Sequence, residues 1–176
     1  MERKLSKIYT PYNQIFYILV LISCTLFTSC HAEEISSTID TPVKVIDGDS
    51  LEIGENRIRL IGIDAPEYDQ YCKNAKKQKY PCGKISAQYL QKLIKNQQIK
   101  CKVHNKDQYN RNLCTCFIDD KNINREMVLS GNAITYMESP YKKEQAKAKE
   151  NKQGLWQGRF MQPRLYRRLK EQQKLN

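Results

Sequence analysis

The chain is poor in the features that mark several protein classes. Only seven of its 176 residues are glycine and six are proline, which excludes a collagen and a Pro/Gly-rich low-complexity chain. Its longest apolar run, IFYILVLISCTLF at 15–27, falls short of the ~20 residues a spanning helix needs. Nothing in it resembles a polytopic membrane protein. Histidine occurs twice, and no two cysteines have CxxC spacing, so the usual ligand pattern of a structural zinc site is missing. No internal repeat and no long Pro/Ser linker divides the sequence. Acidic residues are the minority charge: 19 Asp+Glu stand against 30 Lys+Arg, a formal net charge of +11. That balance points to a polyanionic partner or an acidic surface and leaves the fold open.

What remains is ordinary for one globular domain: 40% hydrophobic residues and 28% charged. The N-terminus sets Arg3, Lys4 and Lys7 before the apolar run, the layout of a secretory signal. Two endings compete. Cleavage after Cys30-His31-Ala32 starts the mature chain at Glu33. Alternatively Leu21-Ile22-Ser23-Cys24 is a lipobox that lipidates Cys24, with Phe27-Thr28-Ser29-Cys30 a poorer copy. An uncleaved membrane anchor is the third reading. The sequence thus divides into a leader at 1–32, a short polar lead-in at 33–41, a domain at 42–160 and a basic tail at 161–176. Export to a periplasmic or external compartment is expected, and a monomer. Without residues 1–32 the chain keeps 27 Lys+Arg against 18 Asp+Glu, enough residues for one domain burying roughly two thirds of its unfolded surface.

An exported chain permits disulfides. A turn at Asp107–Asn110, read as the centre of a hairpin, sets Cys101 opposite Cys116, where the strand spacing suits a disulfide. Cys72 and Cys82 flank a polar loop and form the natural second pair. Cys114 is left as a small buried hydrophobe. A zinc site is the rival reading.

Strand patterns lie at Val43–Ile46, Ser50–Ile53 and Arg57–Ile61, separated by Asp-Gly and Gly-Glu-Asn turns. Residues 84–96 switch to helical period, with Ala87, Leu90, Leu93 and Ile94 on one stripe. Strands return at Ile99–Val103 and Leu113–Ile118. A short helix follows, with Asn122 at its N-cap and Gly131 just past its end. A last helix opens at Ser139-Pro140 and stops at Gly154. The expected fold is mainly β with helices (α+β): a five-stranded OB-fold barrel with about three packed helices.

Three segments carry chemistry: Val45-Ile46-Asp47-Gly48-Asp49-Ser50, Arg59-Leu60-Ile61-Gly62-Ile63-Asp64-Ala65-Pro66-Glu67 and Asp107-Gln108-Tyr109-Asn110-Arg111. Alone, Asp-Gly-Asp is as readily a plain hairpin turn. Three carboxylates and an arginine at the ends of neighbouring strands shift that balance. Asp49, Asp64 and the Ala65 carbonyl offer the oxygen set a hard cation such as calcium takes. Glu67 is placed to orient a water, and Arg59 and Arg111 offer planar forks for phosphate oxygens. These are the parts phosphodiester hydrolysis requires. Strict alternation along one strand would put Arg59 and Asp64 on opposite faces, so the strand must end or bulge near Gly62.

Together these segments resemble the staphylococcal nuclease (thermonuclease) family over about residues 41–160, including Gly131-Asn132-Ala133 and Gly154-Leu155-Trp156. The Tyr71–Gly83 segment and the Cys101/Cys116 pair resemble its secreted, cysteine-bearing branch. The resemblance implies an OB-fold endonuclease that cuts DNA, RNA or both with Ca2+. It implies that Asp49, Asp64 and the Ala65 carbonyl hold the metal and that Glu67 is the general base. Arg59 and Arg111 are then the phosphate-binding catalytic arginines, Tyr109 lies in the nucleotide pocket, and Asp47 stands beside the metal without ligating it. The chain departs from the family at Asn110, where glycine is usual, and at Ser50, where threonine is. Asn tolerates positive φ and Ser keeps the hydroxyl. A non-catalytic nucleic-acid-binding OB module and a lipid-anchored structural protein are the alternatives. Trp156 is expected to plug the core and His104 to sit at a strand end, while the tail reads as a solvated face with a frayed end or as an electrostatic footprint for nucleic acid.

Overall fold

The computed structural model describes residues 33–38 and 40–175. Cys24, Cys30 and the rest of the leader lie outside the described residues. No helix among the described residues is long and apolar enough to cross a membrane.

The first three expected strands form within a residue of their predicted bounds. β2 (Val43–Val45), β3 (Ser50–Ile53) and β4 (Asn56–Leu60) make an antiparallel meander. β8 (Lys100–Lys106) and β9 (Asn112–Ile118) form the later hairpin, and β9 lies parallel to β4. The five principal strands therefore run β8-β9-β4-β3-β2 across one sheet. This is an α+β fold built on a curled half-barrel of OB type, as expected. β9 shows why: its buried and half-buried residues alternate strictly, so Cys114, Cys116 and Ile118 enter the core together.

Three parts differ from the sequence-based expectation. The polar lead-in contains β1 (Glu34–Ser36), which adds to the free edge of β8 with Ile35 buried opposite Cys101. The cysteine loop contains a small hairpin, β6 (Cys72–Lys73) with β7 (Lys79–Tyr80). Among the described residues there are four α-helices rather than about three: α1 (Cys82–Ile94), α2 (Ile123–Leu129), α3 (Lys142–Glu150) and α4 (Pro163–Leu175). The fourth occupies the segment read as a basic tail.

Leu51, Ile58 and Leu60 from the sheet and Ile63 just after it meet Leu90 of α1 and Met127 and Val128 of α2 in the main core. Asn122 caps α2 as expected, accepting from the Arg125 N–H at 2.9 Å. Both expected disulfides form, Cys101–Cys116 across directly paired residues and Cys72–Cys82 across the polar loop, and Cys114 is free and buried. A second small cluster gathers Cys72, Cys82 and Leu155. Leu155 is its buried plug; Trp156, expected in that role, is half-buried and packs edge-on against Phe160 at 5.0 Å. Its neighbour in sequence takes the core position because the chain turns there through a short 3-10 helix, Gly154–Gln157. His104 lies within β8, exposed, with its ring nitrogen 2.9 Å from the Thr115 hydroxyl at the point where the ladder slips register.

Candidate active site

Arg59 and Asp64 reach one place because the strand between them breaks. β4 ends at Leu60, Gly62 takes φ +77°, and the chain re-enters a different two-stranded sheet as β5 (Ile63–Asp64), paired with β10 (Ile134–Thr135). A left-handed residue at 62 rotates the following pair of side chains, which alternation alone would have sent to the far face. The turn is held from below by Asn124 of α2, fully buried. Its amide donates to the carbonyls of Ile61 and Cys114, both at 3.0 Å, and accepts from the Cys116 N–H at 3.0 Å.

The Asp47–Asp49 turn arrives from the other side. The Asp49 N–H donates to Asp47 Oδ1 at 2.9 Å, closing a turn of the side-chain type. Gly48 is required by proximity: a Cβ there would collide with Ser86 of α1 and with Ala65. That close approach seats Asp49 against the residue after Asp64, and Asp49 Oδ2 accepts from the Ala65 N–H at 2.6 Å.

Between the two acids lies one guanidinium. Arg59 pairs through Nη1 with Asp49 Oδ1 and through Nη2 with Asp64 Oδ1 at 3.0 Å. Both carboxylates are 1% exposed. Two buried charges of one sign survive only if paired and hydrogen-bonded, and here Arg59, the Ser50 hydroxyl and the Ala65 N–H supply those bonds. Burial lowers the pKa of Arg59, with Asp64 and Asp47 opposing the fall. Burial likewise raises Asp47, against the pull of Arg59.

A second guanidinium approaches Asp64 from a direction the sequence reading did not supply. Arg167 of α4 donates Nη2 to Asp64 Oδ1 at 2.9 Å and Nη1 to Glu67 Oε1 at 2.8 Å. The backbone N–H of Arg164 donates to Asp64 Oδ2 at 3.2 Å. Gln70, fully buried, anchors the approach to this helix: its amide donates to the Met161 carbonyl at 2.8 Å while its oxygen accepts from the Glu67 N–H. Arg167 and Gln70 were both missed. The available signal was Pro163 at a first helical position, followed by a run free of glycine and proline.

Arg111 follows a turn in which Asn110 takes φ +60°, the conformation glycine would otherwise supply. Burial alone would raise Asp107, but bonds from the Arg111 backbone and side chain and from the Tyr109 N–H hold it below the usual carboxylate range. Arg111 is therefore aimed by Asp107. Its guanidinium lies 5.6 Å from the ring of Tyr109, which is 59% exposed.

The structure brings Arg59, Asp49, Asp64 and the Ala65 amide into direct contact, and Glu67 joins them through Arg167. Arg111 and Tyr109 touch none of these; they share with Asp47, Arg59 and Glu67 the walls of one open cleft of about 810 Å³. Among the described residues no three His, Cys, Asp or Glu side chains converge at metal-holding distance. The donor set nonetheless fits a hard cation in kind, since two buried carboxylates and a neighbouring carbonyl are all oxygen; a cation there would compete with the two guanidinium groups that pair with one Asp64 oxygen.

Comparison with known proteins identifies the family. Residues 57–158 match the family described as staphylococcal nuclease homologue. The succinoglycan biosynthesis protein ExoI of Rhizobium meliloti (strain 1021) is 38% identical over 117 residues, covering 64% of this chain and 61% of that protein. An uncharacterized endonuclease of Escherichia coli O157:H7 is 33% identical over 125 residues, covering 65% of this chain and 74% of its own. The probable endonuclease lcl3 of Sclerotinia sclerotiorum is 28% identical over 138 residues, covering 69% and 51%. The chain thus spans about three fifths of ExoI and about half of lcl3. The family match opens on β4, so Asp47 and Asp49 are placed by geometry rather than by it, and it closes before α4. Extending over more than half of the sequence, it assigns this chain to the staphylococcal nuclease homologue family.

Proposed function

We propose that this protein is an exported, calcium-dependent nuclease that hydrolyses phosphodiester bonds in DNA, RNA or both. The observation that carries the reading is the Arg59 guanidinium bridging two buried carboxylates at the edge of a cleft that also holds Glu67 and Arg111. A divalent cation would be held by the Asp49 and Asp64 carboxylates and the Ala65 carbonyl. When bound, it supplies charge against a phosphoryl oxygen and lowers the pKa of water.

The chain's own residues do the rest. Glu67 accepts a proton from the attacking water, whose oxygen forms a bond to phosphorus as the opposite P–O bond breaks. Negative charge builds on the phosphoryl oxygens, and fixed guanidinium groups lower its energy without reorganising. Arg59 is held rigid by its two acids. Arg111 is aimed by Asp107 through Nε and Nη2, and its Nη1 has no protein acceptor among the described residues. Tyr109 offers an exposed ring on which a base can stack. Two disulfides in one small domain support an oxidising compartment and hence export.

The test is incubation of the purified protein with plasmid DNA and with RNA, in calcium and in excess chelator, resolved on a gel. Cleavage that needs calcium is the expected result. Binding without cleavage would instead favour the non-catalytic OB module.

A further inference from the structure

The cleft has a second wall outside the matched family region. α4 begins five residues after that region ends, and its polar anchors reach the loop carrying Asp64, Glu67 and Asp69. Pro163 is its one buried residue, so apolar burial does not fix its orientation. The Arg167 fork does.

Helical spacing then decides which side chains face the cleft. Residues 164, 167 and 168 are related by i, i+3 and i+4 and lie on one face. With Arg167 locked to Asp64 and Glu67, Arg164 and Arg168 line the same cleft as Arg59, Arg111 and Tyr109. Arg167 is spent on protein carboxylates. Arg164 and Arg168 are exposed and take part in no ion pair among the described residues. The lining as a whole carries six arginines against four carboxylates, Asp47, Glu67, Asp107 and Glu171. Two of those four, Glu67 and Asp107, are already paired with arginine. What is left unpaired is Arg57 of β4 with Arg164 and Arg168 of α4, against Asp47 and Glu171, so the remaining charge is positive and two of its three arginines stand on α4.

We propose that Arg164 and Arg168 of α4 form a phosphate-binding wall that grips the nucleic-acid strand beside the phosphate held by Arg59 and Arg111. Four helical residues rise about 6 Å, which spans roughly two phosphates at ~3.4 Å of axis per strand. The contacts are to backbone, so the wall adds affinity and register without sequence preference. This assignment rests on the nucleic-acid reading of the cleft; it does not require that the cleft be catalytic.

The test measures binding of an end-labelled 20-nucleotide single-stranded DNA in excess chelator, across a salt series, so that no cleavage intervenes. Three double variants are compared with the wild type: R164Q/R168Q, the charge-retaining R164K/R168K, and K142Q/K143Q, which removes two exposed charges from α3 away from the cleft. Expected is that R164Q/R168Q alone weakens binding and lowers the slope of log K against log salt by about 1.4, two phosphates at ~0.7 each. R164K/R168K should restore most of that slope, which also answers any loss of folding in the glutamine pair. An unchanged slope in R164Q/R168Q, an equal fall in K142Q/K143Q, or no oligonucleotide binding by the wild type would each overturn the proposal. Binding with the expected slopes but no calcium-dependent cleavage would leave the wall standing and remove the hydrolase.

Discussion

Arg167 and Asp64 are 103 residues apart in sequence, and the guanidinium of one donates to Oδ1 of the other at 2.9 Å. Asp64 also takes Arg59 on the same oxygen and the Arg164 N–H on the other. A cation bound through Asp64 must share that carboxylate with three donors. Removing the more exposed of the two guanidinium groups, that of Arg167, relieves like-charge repulsion. Arg167→Gln is therefore expected to tighten calcium binding by up to about tenfold, the equivalent of ~1.4 kcal/mol, measured by calorimetric titration without substrate. Equal or weaker binding in the variant would show that Arg167 and the cation do not compete.

The two arginines proposed to bind phosphate are not equivalent test sites. Asp64 keeps Arg167 when Arg59 is lost, but Asp49 has no other cation among the described residues, so Arg59→Ala strands one buried carboxylate and is expected to destabilise the fold by about 3–5 kcal/mol. Loss of activity in that variant would say little about phosphate. Among the described residues Arg111 pairs only with Asp107, in the cleft wall. Arg111→Ala is expected to fold normally and lose ~10²–10³ in rate. Glu67→Gln is expected to retain oligonucleotide binding and lose most cleavage, because its amide cannot take the proton. Near-normal turnover by either variant, measured on a fluorogenic oligonucleotide, would reassign the roles.

Much of this arrangement was legible because local pattern and burial agree. The alternation of Leu113–Ile118 names a strand with one face inward, and a hairpin centred on Asp107–Asn110 pairs Cys101 with Cys116. The conflict between Arg59 and Asp64 located the break at Gly62 before its φ was known. β1 was not legible, since Glu34-Ile35-Ser36 becomes a strand only by borrowing the open edge of β8. α4 was concealed for a sharper reason. Its docking face meets carboxylates, so the residues that hold it are arginine and lysine. Its leucines point the other way: Leu165 is 45% exposed and Leu169 39%. Hydrophobic periodicity presumes an apolar partner, and here the partner is the site.

Cys114 gives a prediction with a sign. Burial first, and then the charge of Glu33, pushes its thiol up to about 11 from an ordinary 9.0. The folded state thus holds the proton longer than the unfolded state does. Stability from this group is complete below pH ~9, falls as pH rises toward 11, and levels above it. At pH 8 a form starting at residue 33 should show no thiol reactive to a disulfide dye when folded. One thiol should appear in unreduced denaturant, with the four other cysteines paired. Two or more would break the disulfide assignment, and a reactive thiol in the folded form would break the burial.

Asn124 tests whether the site is built from beneath. Its side chain makes three hydrogen bonds, two buried and one part-buried, to the backbone of the β4–β5 turn and of β9. Asn124→Ala leaves the Ile61 carbonyl and the Cys116 N–H without this partner, each of which costs about 1–3 kcal/mol when buried, while the Cys114 carbonyl keeps the Ile61 N–H at 2.9 Å. A loss of roughly 3 kcal/mol in urea unfolding is expected, with relaxation absorbing part of the sum. The turn it holds is also the one that carries Asp64 round to Arg59. If the clamp positions the site, Asn124→Ala should lower calcium affinity even at temperatures where the variant is fully folded. A variant that loses stability yet binds calcium as the wild type does would confine Asn124 to the core.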